Sequence, residues 1–302
     1  MKRSLLILIF SLTFLVGCTD AIKLANYDME DSPVSQFWTT NPQEESSELL
    51  SAFFGLDSEA PFISNFFVCR GAAGNDAMPV VFSHELNLTT LQVGDFKVVR
   101  SDGTEGELMC VTPAPAYDSG EYRTMLLIGE FGSSSNQPER VEIKGNLLSS
   151  DNRINFKGKT VKVVPLEDGP SMVLAEPVPS EEWYLGRKAT FLPFGGGSGC
   201  PEGTRQIVRV TWNGGITKPG GDEVDDLERT SYSITIRDNE GSVSNISPFA
   251  LGDLGDGDNN HKLCLDVEST PLKVDFPEGL VTDPRDDLNP RTSIDVSNPY
   301  AR

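Results

Sequence analysis

Histidine is nearly missing from this chain: of 302 residues only His84 and His261 carry an imidazole. Any Ser/His/Asp or Cys/His nucleophilic device must use one of these two, whereas paired carboxylates for glycoside hydrolysis stay open among so many acids. His84 falls in a turn just after a strand, and Glu85 beside it does not extend into the H-E-x-x-H spacing of a zinc protease. The chain has no C-x-x-C pair and no Cys/His cluster, so neither a zinc site nor a redox motif is expected. Positive charge is scarce, with 25 Lys and Arg against 45 Asp and Glu. So acidic a surface repels nucleic acid and anionic headgroups and leaves divalent cations or basic proteins as natural counterions. Long apolar runs are lacking too, apart from Leu5 to Leu15, which is too short to span a bilayer as a mature helix.

That one run sits in a leader. Lys2 and Arg3 precede it, and it ends in Leu15-Val16-Gly17-Cys18, the layout of a signal peptide over residues 1–17. Leu-Val-Gly-Cys resembles the bacterial lipobox at every position, which implies that Cys18 carries acyl groups, palmitate among them, that anchor the chain to a lipid bilayer. An ordinary signal peptide cut elsewhere is the alternative. Cys18 is followed by Thr19 and then Asp20, whereas the inner-membrane retention signal of some lipoproteins has Asp directly after Cys. By that resemblance the outer membrane is favoured over the inner. Loss of Lys2 and Arg3 takes the formal charge from −20 to −22.

Four cysteines remain after Cys18, an even number suited to disulfides in an oxidising compartment. Three connectivities are open, and spacing favours neighbours, Cys69 with Cys110 and Cys200 with Cys264. An internal duplication supports the same pairing. Pro79-Val-Val-Phe-Ser83 corresponds to Val208-Arg-Val-Thr-Trp-Asn213, and Phe96-Lys-Val-Val99 to Tyr232-Ser-Ile-Thr-Ile236. Later, Val141-Glu-Ile143 answers Val274-Asp-Phe276, and Thr160 to Val164 answers Thr292 to Val296. Each half has one Cys before its first strand and one in a later strand. Alternation at Val80/Phe82, Val208/Val210/Trp212 and Ile234/Ile236 gives the two-residue rhythm of half-buried strands. Gly, Pro, Asn and Asp clusters punctuate these runs, as in an all-β chain of two tandem β-sandwiches.

Pro79 to Val99, with Val-Val-Phe-Ser followed by Thr90-Leu91 and a Phe-containing strand, resembles the bacterial immunoglobulin-like domains of S-layer and other surface proteins. The match covers about the first third of domain one, and domain two shares it only through the repeat, with Trp212-Asn213 in place of Phe-Ser. The resemblance implies a spacer or recognition module without catalysis.

The resulting organisation is a signal peptide (1–17), a tether (18–57), immunoglobulin-like domain one (58–166), a linker rich in Pro and acids (167–182), and domain two (183–302). Within the tether, Asn41-Pro42-Gln-Glu-Glu45 reads as a helix start that places Leu49, Leu50, Phe53 and Phe54 on one face, with Gly55 as its stop.

The most conspicuous polar cluster is Asp253, Asp256, Asp258, Asn260 and His261, followed by Asp266. Carboxylates and amides on a Gly-bearing loop suit Ca²⁺, which takes about six to eight oxygen ligands in flexible geometry. The EF-hand pattern fails, since the sixth and twelfth positions counted from Asp256 are His261 and Val267. The same residues also make ordinary turns, so a calcium site and a plain turn both stand. Gly195-Gly-Gly-Ser-Gly199 looks like a nucleophile elbow, but Cys200 holds its final Gly position. Trp38, Trp183 and Trp212 suit sugar stacking or core packing. The expectation is a non-catalytic envelope lipoprotein acting as a binding or structural module, with envelope or surface proteins as partners. A calcium-dependent adhesion or surface-assembly protein and a hydrolase of unknown substrate are the alternatives.

Overall fold

The computed structural model describes residues 47–186 and 196–297. The leader, Cys18, Trp38, the Asn41 helix start and Gly195 lie outside them. The first sandwich uses seven strands: β1 (Leu49–Phe53), β2 (Asp76–Phe82), β3 (Phe96–Arg100), β4 (Glu107–Thr112), β5 (Thr124–Glu130), β6 (Pro138–Ile143) and β7 (Thr160–Val164). Eight follow in the second: β8 (Met172–Pro177), β9 (Gln206–Trp212), β10 (Ser233–Arg237), β11 (Val243–Ile246), β12 (Ala250–Gly252), β13 (Asn260–Leu265), β14 (Thr270–Phe276) and β15 (Thr292–Asp295). Helix α1 (Ser64–Phe67) precedes β2, and helix α2 (Asp226–Ser231) precedes β10.

Strand order in the first sandwich is β3-β6-β7-β1-β2-β5-β4, all neighbours antiparallel except β1 and β7, which run parallel. Although β2 and β3 stand four places apart in that order, the rings of Phe82 and Phe96 lie 6.3 Å apart, edge to face. The sheet therefore folds over on itself, and Phe82, Phe156, Val98, Met125 and Leu127 fill the space between its halves. In the second sandwich the sheets β11-β10-β14-β15 and β12-β13-β9-β8 face each other. Between them Trp212 meets Phe276 at 5.4 Å and donates its indole N–H to Tyr232 at 3.2 Å.

The two orders correspond strand for strand when β1, β2, β3, β4, β5, β6 and β7 are laid on β8, β9, β10, β12, β13, β14 and β15, with β11 an added edge. Backbone bonds join the same places: Phe54 N–H to Val164 in the first, Ser297 N–H to Ala175 in the second. The disulfides do not correspond. Cys69 pairs with Cys110 on edge strand β4, while Cys200 pairs with Cys264 on β13, whose counterpart is β5.

Two readings of the sequence need correction. Leu49–Phe53, expected in a helix, is strand β1 and opens the first sandwich before residue 58. It lies between β7 and β2, so Leu49, Ser51, Ala52 and Phe53 are all buried. A strand covered on both faces carries apolar residues on both rather than in alternation, so Leu49, Leu50, Phe53 and Phe54 imitate a helical face. Residues 172–177, expected in the linker, form β8 and open the second sandwich before residue 183. Pro177 is tolerated there because β8 is the edge strand of its sheet.

Candidate functional site: a buried charge cluster between the sandwiches

In β9, Val208, Val210 and Trp212 point into the second core, so strand alternation turns Arg209 to the opposite face. In β13, Leu263 and Leu265 point inward and Lys262 outward on that same face. Glu176 of β8 joins them. This charged face does not meet water, because the loop between β4 and β5, residues 113–123, covers it. Arg209 is 1% exposed and Lys262 4%.

The groups pair in two sets. In the first, Arg123 Nη2 donates to both carboxylate oxygens of Glu176, at 2.8 and 3.1 Å. Arg209 donates to Glu182 Oε2 and to the Ser119 carbonyl, each at 3.1 Å, and its Nε lies 3.7 Å from Glu176. Burial opposes the charge on Arg209, but Glu176 and Glu121 outweigh it and hold the guanidinium pKa above its usual value. Burial raises Glu182, and Arg209 pulls it partly back.

The second set surrounds Lys262, whose Nζ lies 2.9 Å from Asp253, 3.4 Å from Glu121 and 3.8 Å from Asp118. Burial would strip its proton, yet Asp253 and Glu121 overturn that and raise its pKa. Glu121 and Asp118 are both shifted upward, first by burial and then by the charge of Asp253. The Asp118 N–H donates to Glu121 Oε2 at 3.0 Å, and the Gly197 N–H donates to Asp118 Oδ2 at 3.1 Å. Asp253 holds a left-handed φ of 67°, a conformation that Asp tolerates better than most residues.

Of the residues expected to hold calcium, only Asp253 enters this cluster. Asp258 accepts from the Asn260 backbone N–H at 2.8 Å and its Nδ2 at 2.9 Å, and Asn260 Oδ1 accepts from Thr211 at 2.8 Å, so these two hold their own turn together. Asp256 is half-buried, its pKa pushed up to about 7 by burial and then by Asp253. Asp266 is exposed beyond the far end of β13, roughly 20 Å from Asn260 at the rise of a strand, and cannot share a ligand with it. His261 faces the second core, where its Nδ1 meets the Tyr232 hydroxyl at 2.8 Å and burial lowers its pKa to about 4. His84 Nδ1 meets its neighbour Ser83 Oγ at 3.0 Å. Trp212 is core, and Trp183 donates to the Val178 carbonyl at 3.0 Å.

Asp118, Glu121, Glu176, Arg209 and Lys262 escaped the sequence reading. The visible signal was a cation inside an apolar strand, in Ile207-Val208-Arg209-Val210 and in His261-Lys262-Leu263. Such a charge needs a buried partner. Next to the cluster the interface turns apolar. Phe53 at the end of β1 lies against Gly214, where an added Cβ would stand 2.6 Å from the ring. A cavity of about 180 Å³ opens there between Leu56, Pro79, Pro115 and Ile128.

No family model matches the chain, and no curated protein does. Among solved structures it is similar to the N-terminal part of the bacterial S-layer protein SbsC, at 10% identity and a TM-score of 0.27, covering 83% of this chain and 44% of that one. It is also similar to domains 1–6 of surface layer protein SbsC, at 12% identity and a TM-score of 0.27, covering 84% of this chain and 41% of that one. The chain spans less than half the length of either. Among the described residues no helix is long and apolar enough to cross a membrane.

Proposed function

We propose that the chain is a non-catalytic lipoprotein of the bacterial cell envelope, acylated at Cys18 and held at the outer membrane, whose two sandwiches act as one binding or structural module. The anchor rests on Leu15-Val16-Gly17-Cys18, and the observation that supports one module is the buried pairing of Arg123 with Glu176 and of Arg209 with Ser119 across the two sandwiches. Charges buried in a joint must stay paired, so a hinge there would expose or orphan them at a cost of several kcal/mol. A stiff two-domain body suits a spacer or a recognition surface held off a membrane. Of the two histidines that the hydrolase alternative could use, His261 is spent inside the second core with Tyr232, which leaves that alternative His84 and paired carboxylates.

Membrane fractionation of the full chain and of Cys18→Ala in a Gram-negative host tests the anchor. The wild type is expected in the outer-membrane fraction with an acyl-shifted mass. Cys18→Ala is expected in the soluble fraction. A wild type without acyl mass overturns the reading.

A further inference from the structure

Charge does not balance around Lys262. Arg123 and Arg209 match Glu176 and Glu182, but Lys262 alone faces Asp118, Glu121 and Asp253. Two negative charges are left over in a site closed to water, where the side chains of Glu121 and Asp253 are 0% exposed and that of Asp118 1%. Asp118 Oδ1 and Asp253 Oδ2 are buried and accept no hydrogen bond from an N–H or hydroxyl among the described residues, although the other oxygen of each carboxylate does, and the carboxylates of Asp118 and Glu121 both lie against that of Asp253. Buried acceptors left unmatched are rare because each forfeits its hydration.

We propose that Asp118, Glu121 and Asp253 form a divalent-cation site that joins the two sandwiches, with calcium as the ion. One ligand oxygen from each of the three lies within 4.8 Å of the other two. Oxygens placed about 2.4 Å from a common Ca²⁺ are at most about 4.8 Å apart, so the three carboxylates are close enough to share one ion. An all-carboxylate donor set favours a hard cation over zinc or copper. A divalent ion also cancels the two surplus charges. Lys262 binds Asp253 through Oδ1, which leaves Oδ2 for the ion, so ammonium and metal share that carboxylate. Its positive charge weakens the site, and a Kd on the order of 10⁻⁴ M is expected, in the range of extracellular calcium modules. The site differs from the turn read in the sequence: it keeps Asp253, dispenses with Asp256, Asp258, Asn260 and Asp266, and takes two ligands from the other sandwich.

Calorimetric titration of Ca²⁺ into the full chain, stripped with EDTA, tests this. One ion per chain is expected, bound at least tenfold more weakly by Asp118→Asn and Asp253→Asn and unchanged in Asp266→Asn. Lys262→Gln is expected to bind at least tenfold more tightly, a gain that loss of structure would not produce, and it serves as the readout should the Asn variants fail to fold. Absence of binding to the wild type overturns the proposal and leaves shared protons to neutralise the cluster. Equal binding by a folded Asp118→Asn, or no tightening in Lys262→Gln, overturns it as well.

Discussion

Gly120 of the first sandwich has no side chain where the guanidinium of Arg209, from the second, stands: a Cβ built on Gly120 would fall on Nη1, Nη2 and Cζ of that arginine. Gly120 also holds a φ of 88°. Gly120→Ala therefore meets two obstacles, a left-handed backbone and a displaced buried ion pair. A loss of about 2 kcal/mol or more is expected in denaturant unfolding. Gly74→Ala, with a φ of 76° and open space around it, has only the backbone penalty, about 1 kcal/mol.

Arg209→Met leaves the buried Glu176 and the half-buried Glu182 with one cation fewer. Removing one partner from a buried pair costs about 3–5 kcal/mol. By contrast, Lys218→Met breaks an ion pair to Asp225 that lies at the surface, for which about 0–1 kcal/mol is expected. Urea unfolding of both variants separates the two cases, and equal losses would contradict the assignment of Arg209 to a dry joint.

His261 should make stability fall in mild acid. Burial lowers its pKa to about 4 from 6.5, so the folded chain resists the proton that the unfolded chain accepts. Its contribution is complete above about pH 6.5 and is lost as pH falls toward 4. By pH 4.5 the loss reaches about 2.5 kcal/mol from this group. Other groups titrate in the same range, and comparison with His261→Gln isolates the term. The stability gap between wild type and variant should narrow between pH 7.5 and 4.5, and parallel curves would contradict a buried neutral imidazole.

The two disulfides should differ in reactivity. Cys200 and Cys264 are 1% and 0% exposed, while Cys69 and Cys110 are half-buried. Mild reduction followed by alkylation is expected to label Cys69 and Cys110 in the folded chain and to leave Cys200 and Cys264 protected until it unfolds. Replacing the second pair with Ala opens a 64-residue loop, for which chain entropy gives a loss of about 4 kcal/mol.

What the sequence made legible depended on apolar alternation along the strands. In β2, β9 and β10, Val80/Phe82, Val208/Val210/Trp212 and Ile234/Ile236 point into a core at every second residue, and in β9 the alternation shows because the other face carries Arg209 and Thr211, although it is buried too. β1 is covered on both faces and loses the alternation, and β8 is short of it because Pro177 and Glu176 occupy its end. The charge cluster was half legible. Arg209 and Lys262 interrupt apolar strands, but their partners are not close in sequence: Lys262 and Glu121 are 141 residues apart. Asp253, Glu176 and Glu182 come from the second sandwich itself, but only the packing of one sandwich on the other brings in Asp118, Glu121 and Arg123, and no local spacing encodes that.

The paired charges make one cooperative body of two similar sandwiches, and differential scanning calorimetry of the full chain measures whether they unfold together. A single transition is expected, with a calorimetric enthalpy about equal to the van't Hoff value, and Arg209→Met is expected to split it. Two transitions in the wild type, or a calorimetric enthalpy about twice the van't Hoff value, would show sandwiches that unfold independently and would contradict the account.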